Sequence, residues 1–305
     1  MSDQLLAPTR GGGGEGRYLG GVIRIDGATV LVQWAAGGWL FLWVTTRRRE
    51  VGLGYGWLQR LVFLLLAGGA LVAAFVTTPT WTREIFTIAF IASGIVTLGL
   101  SVSRRRAGVA GQREVVERRT ARVADMTGID RDEQRFDKSV EEFPPVLDLI
   151  TAGLGLVAVL FGAIAAGDPV LLSIFRGLTS ALFLGVVTDA MLLGHWYLVQ
   201  PGLARAPIHE LVKWTGILWV PETIGMLIPT GMVSVLNGSI DDAYNGLLGW
   251  FWIACVITTI GLVFVTRAAL KEREYSAVMA ATGLMYLAIL TGFGQDLVAR
   301  ILLDA

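Results

Sequence analysis

The chain has 305 residues, of which 54% are hydrophobic and only 16% charged. Water-soluble domains carry about a quarter charged residues, so this composition excludes an ordinary soluble protein. The formal net charge is zero, which gives no basic face for nucleic acid, and the single cysteine, Cys255, excludes both an intrachain disulfide and an all-cysteine metal site.

Residues 1–27 form a polar segment with the Gly-rich run GGGGEG at 11–16. The apolar run after it is followed, not preceded, by positive charge at Arg47, Arg48 and Arg49, the reverse of a cleavable signal peptide. A membrane helix needs about 20 mostly apolar residues, and eight segments meet or approach that length. The first, Ala28–Val44, is the weakest, being short and holding Gln33 and two glycines. Leu58–Val76 and Ile85–Val102 form a hairpin through TTPTWTRE. Val146–Ala166 ends at Gly167-Asp168-Pro169, and Val170–Val199 is long enough to tilt. Trp214–Leu236, Gly246–Val265 and Ser276 to Phe293 complete the set, and the closing GQDLVARILLDA reads as a frayed or interfacial end.

The expected fold is therefore an all-α polytopic membrane bundle of eight helices. Its expected parts are residues 1–27, a three-helix front at 28–102, a charged helical loop at 103–145 and a five-helix back at 146–305. With the N-terminus outside, only Arg10, Arg17, Arg24, Arg83, Arg176 and Arg300 fall outside, leaving 19 of the 25 cations inside. The positive-inside rule thus predicts that both termini are outside. The 103–145 loop mixes charges with sparse apolar residues such as Val115, Val116, Val123, Met126 and Ile129, a docking stripe for partner subunits of a membrane complex. Arginine outnumbers lysine 22 to 3 in a Gly- and Ala-rich chain, which suits a bacterial cytoplasmic membrane.

The polar groups set deep in apolar sequence fall between Arg176 and Pro229. A charged residue at the bilayer centre costs about 2.5–3.5 kcal/mol on insertion scales, so such residues are functional candidates. Asp189 lies ten residues before the inner end of its segment and Glu222 about nine after the inner start of the next. At 1.5 Å per residue both sit roughly 14 Å from one face, which predicts a midplane carboxylate pair in which one acid holds a proton. Pro221 and Pro229 flank Glu222 and would free backbone carbonyls beside it, as in ion-binding broken helices. Proton- or cation-coupled transport is the leading expectation.

A second reading takes His195, Trp196 and Tyr197, with Thr188 and Met191 on the same stretch, as the wall of a quinone site in a redox-complex subunit. Haem has little support, because His209 falls in the inner turn and bis-histidine ligation needs two imidazoles on facing helices. A third reading is a scaffold that docks partners through residues 113–143. No P-loop, HExxH or nucleophile elbow occurs, and no metal-ligand spacing is present, so no enzymatic reaction is indicated. Near the C-terminus, Gln295, Asp296 and Arg300 are expected to pair with Arg176 or with one another at the outer face.

Overall fold

In the computed structural model the described residues are 26–77, 79–110, 114, 136–137, 139–167, 169–200, 203–228 and 231–304. Among them are nine α-helices, one 3-10 turn and no strand. The helices are α1 (Gly27–Thr46), α2 (Leu53–Val76), α3 (Trp81–Ser103), α4 (Val146–Ala166), α5 (Val170–Val199), α6 (Ala206–Leu227), the short α7 (Gly231–Leu236), α8 (Leu247–Ala269) and α9 (Tyr275–Asp304). Seven of them, all but α6 and α7, are long and apolar enough to cross a membrane. Bare aliphatic side chains such as Leu65, Val76 and Leu290, each more than two-thirds exposed, cover the outside of the bundle. Exposed apolar surface costs roughly 25 cal/mol per Å² in water and nothing in lipid, so the protein is a multi-pass membrane protein. The N-terminal residues 1–25, Pro229 and, within the 103–145 loop, residues 111–113, 115–135 and 138 lie outside the described residues. So does most of the predicted docking stripe.

Three segments differ from their sequence expectation. The weakest-looking one, α1, is among the most enclosed, packing against α2, α4 and α5 at once. Its glycines explain this. A Cβ on Gly37 would coincide with the carbonyl oxygen of Ala181, and one on Gly185 with the Gly37 backbone, so α1 and α5 cross in direct backbone contact. Gly38 receives the Phe63 ring in the same way. Residues that lower hydropathy here are those that close packing requires.

The helix α6 begins at Ala206, eight residues before the predicted Trp214, and ends at Leu227. Pro207 suits its first turn, where no backbone donor is needed. Glu210 is polar because it pairs with Arg47 at 2.5 Å and Arg48 at 3.2 Å, and Arg205 donates to the carbonyls of Glu272, Arg273 and Glu274. These contacts fix the start of α6 at the end of the bundle where α1 and α5 finish. Its other end reaches the layer where α5 starts, so α6 runs between the same two layers as its neighbours. The predicted frayed end is likewise ordered: α9 continues to Asp304, with Gln295, Asp296 and Arg300 buried.

One buried ion pair ties together the half of the bundle where α1 ends. Asp148, fully buried on α4, accepts from Nε and Nη2 of Arg60 on α2 at 2.9 and 2.6 Å, and from Nε1 of Trp39 on α1 at 3.2 Å. The Arg60 guanidinium also donates to Ser101 of α3 and lies 4.6 Å from the centre of the Phe143 ring. Four helices meet on this bidentate pair.

Candidate functional site

At the end of the bundle where α1 starts, three arginines from three helices line one cavity of about 60 Å³. They are Arg83 in the first turn of α3, Arg176 on α5 and Arg300 on α9, each at most 5% exposed. This is the end that the charge count assigns to the outside.

Each arginine is held differently. Asp26 caps α1 by accepting from the Ala28 N–H at 3.0 Å and from the Thr29 hydroxyl at 2.9 Å, and it also pairs with Arg83. Arg83 further donates to Glu84 at 2.6 Å and to Thr29 at 2.6 Å. Arg300 donates to Asp296, one turn earlier on α9, at 2.8 Å, to the Gln33 Oε1 of α1 at 2.7 Å and to the Ser180 hydroxyl of α5 at 2.8 Å. Ser180 in turn donates to Asp296 at 2.7 Å. Arg176 is the exception. Its Nε donates to the Gly225 carbonyl at 2.7 Å and its Nη2 to the Ile228 carbonyl, and among the described residues no carboxylate lies in ion-pairing distance.

The expected carboxylate pair is not brought together. Asp189 and Glu222 are both fully buried; neither Asp189 oxygen has a hydrogen-bond partner among the described residues, whereas Glu222 lies against Thr179 and Asp296 without an ion pair. They occupy different layers. Asp189 lies ten residues from the inner end of α5, about 15 Å, whereas Glu222 lies 16 residues from the inner start of α6, about 24 Å. The early start of α6 therefore moves Glu222 toward the outer cavity. Its charged neighbours are Asp296, Arg300 and Arg176, with Thr179 beside it, whereas Asp189 acts on Tyr55 of α2.

The proline expectation also changes. Pro221 lies inside α6 and the helix continues through it for another turn and a half, breaking only at Ile228, whose backbone is extended (ψ 146°). The carbonyls at the break are occupied by Arg176, so the protein's own guanidinium fills the place proposed for a cation. Pro229 lies outside the described residues.

The aromatic cluster of the quinone reading diverges. His195 is exposed and meets the edge of Tyr286, Trp196 leans on Tyr55 and donates to Gln200 at 3.1 Å, and Tyr197 is buried with its hydroxyl on the Ala204 carbonyl. Thr188 accepts from the Trp34 indole at 2.9 Å, and Met191 packs into the central core. These five residues do not form one wall. His209 is exposed in the first turn of α6, and among the described residues no group of His, Cys, Asp and Glu is arranged to hold a metal ion.

Within the outer cluster, Asp296 and Arg300 pair as the sequence suggested, while Arg176 joins the cavity without pairing to either. Asp26, Gln33, Arg83 and Ser180 were not singled out as site residues from sequence. Compared with protein-family models, curated proteins and solved structures, the chain matches none.

Proposed function

We propose that this protein is a proton-coupled transporter of a bacterial cytoplasmic membrane, crossing it eight times with both termini outside. In this reading Asp189 and Glu222 are two successive proton-carrying groups. The supporting observation is the contrast among the buried acids: Asp148, Glu84 and Asp296 are each ion-paired to an arginine, whereas Asp189 and Glu222 are fully buried and form no ion pair among the described residues. An ionised carboxylate buried without an ion-pair partner costs several kcal/mol. Taking up a proton removes that cost, so such groups load and release protons as water reaches them. Their placement in an inner and an outer layer suits a relay along the bundle axis.

The test is proton movement into proteoliposomes loaded with a pH-sensitive dye, driven by imposed gradients of small solutes. Asp189→Asn and Glu222→Gln each keep size and remove the titration, and each should slow solute-driven proton uptake by about 100-fold, the scale of a lost acid–base group. Wild-type proton movement in both variants would end the proposal.

A further inference from the structure

We propose that the outer cavity binds one small monovalent anion on Arg176, between Arg83 and Arg300, and that the anion enters together with a proton on Glu222. Both the open charge of the site and its coupling rest on a proton-bearing Glu222, as in the reading above; the geometry of the cavity does not.

Charge argues for the site. Arg83 is paired with both Asp26 and Glu84, and Arg300 with Asp296, so with Glu222 neutral the cluster as a whole is balanced, but the negative charge lies on the Arg83 and Arg300 sides. Arg176 is 5% exposed, and its hydrogen bonds among the described residues go to two backbone carbonyls, which are dipoles and not counter-charges. A guanidinium carries five N–H donors, and the Nη1 of Arg176 has no hydrogen bond among the described residues. With Glu222 neutral, Arg176 is a buried positive charge with no carboxylate in ion-pairing distance among the described residues, and its place beside the cavity suits one negative charge.

Size and lining narrow the ligand. The cavity of about 60 Å³ has room for a small anion such as a halide, nitrate or formate. Its wall is kept back by glycines: a Cβ on Gly177 would press on Ala163 at 3.0 Å, and one on Gly162 on the Arg83 side chain at 3.1 Å. Because the Gln33 Oε1 accepts from Arg300, its amide nitrogen is left as a donor on the Gly177 side.

Glu222 supplies the coupling. The groups facing it are Asp296 and Arg300 from α9 and Arg176 and Thr179 from α5. From α8 the only charged residue, Arg267, is exposed at the far end, while α7 and α1 carry no charged residue within their spans. Ionised Glu222 would itself be the counter-charge for Arg176. Neutral Glu222 leaves that role to an anion. Anion and proton therefore favour each other's binding, and the linkage is reciprocal.

The experiment is calorimetric titration of the purified full-length protein in detergent with sodium chloride, nitrate and formate, exchanged against gluconate at constant ionic strength across a pH series. A parallel arm uses short-chain phosphatidylglycerol, because a lipid phosphate could also seek these arginines. We expect one site per chain, tighter at lower pH. Arg176→Gln should weaken it by about 10- to 100-fold, the loss of a charge-assisted bond. Ala165→Glu, at an exposed position lining the cavity, should also block binding while leaving Arg176 and its helix contacts intact. Glu222→Gln should keep the anion but flatten the pH dependence. No anion binding to the wild type, binding of the lipid alone, or unchanged binding in both Arg176→Gln and Ala165→Glu would overturn the site. A full pH slope in Glu222→Gln would remove the coupling while leaving the site. Proton flux that depends on Glu222 in a protein that binds no anion would leave the transport reading and sink this one.

Discussion

Removing one member of the Arg60–Asp148 pair should cost far more than removing both. In Arg60→Met, Asp148 keeps only the Trp39 indole at 3.2 Å and becomes a buried acid without a cation. In Asp148→Leu, Arg60 keeps Ser101 at 3.2 Å and the face of Phe143, with its charge uncompensated. Breaking a buried pair from one side typically costs about 3–5 kcal/mol, whereas replacing both partners by apolar residues of similar volume is often neutral or stabilising. The double variant should therefore be more stable than either single one, with a coupling energy of several kcal/mol in the cycle, above the usual range of about 0.5–3 kcal/mol for contacting residues. Unfolding in mixed micelles of rising dodecyl sulfate fraction, followed by tryptophan fluorescence, measures all four proteins. Additive single effects, or single variants within about 1 kcal/mol of wild type, would show that the pair does not hold α1–α4 together and would refute the reasoning.

Two further perturbations test the packing and a loop cap. Gly37→Ala should destabilise by about 3 kcal/mol or more, since its Cβ meets the Ala181 carbonyl of a rigid helix, while Gly153→Ala, with nothing within 4 Å, should be neutral or slightly stabilising. The same unfolding assay separates them. Outside the membrane, partial desolvation pushes the Asp242 carboxyl up, but the backbone N–H groups of Gly246, Tyr244 and Leu248 outweigh it and hold it below the ordinary 3.8. An acid depressed on folding contributes stability above its unfolded value and loses it as pH falls through its folded one. Asp242→Asn should thus lower the unfolding temperature at pH 7, and the gap to wild type should close below about pH 3.8. An unchanged gap in acid would remove the charge from the explanation.

The membrane class and most segment positions were legible because hydropathy reports what faces lipid. It fails where a helix faces only other helices or a charged interface. The lower hydropathy of α1 reflects Gln33, Gly37 and Gly38, each of which has a partner: Arg300, the Ala181 backbone and Phe63. The start of α6 read as a turn because Arg205, His209, Glu210 and Lys213 are polar, yet Glu210 is held by two arginines from the end of α1. Sequence found Asp189 and Glu222 as buried acids. Their pairing depended on the α6 boundary, and an eight-residue error in that start is roughly 12 Å of axial displacement.

The outer site had a signal of its own, hidden in the topology count. Six cations fall on the side that the positive-inside rule leaves poor in positive charge, and three of them belong to the polar segment before α1. The other three, Arg83, Arg176 and Arg300, are the three that line the cavity. A cation that resists the topological bias and sits within a helix must be compensated by something other than the membrane's charge asymmetry. Arg83 and Arg300 have carboxylates for that purpose. Arg176 has backbone carbonyls, a neutral Glu222 and a cavity, and the counter-charge missing at its own side chain is the one we assign to a ligand.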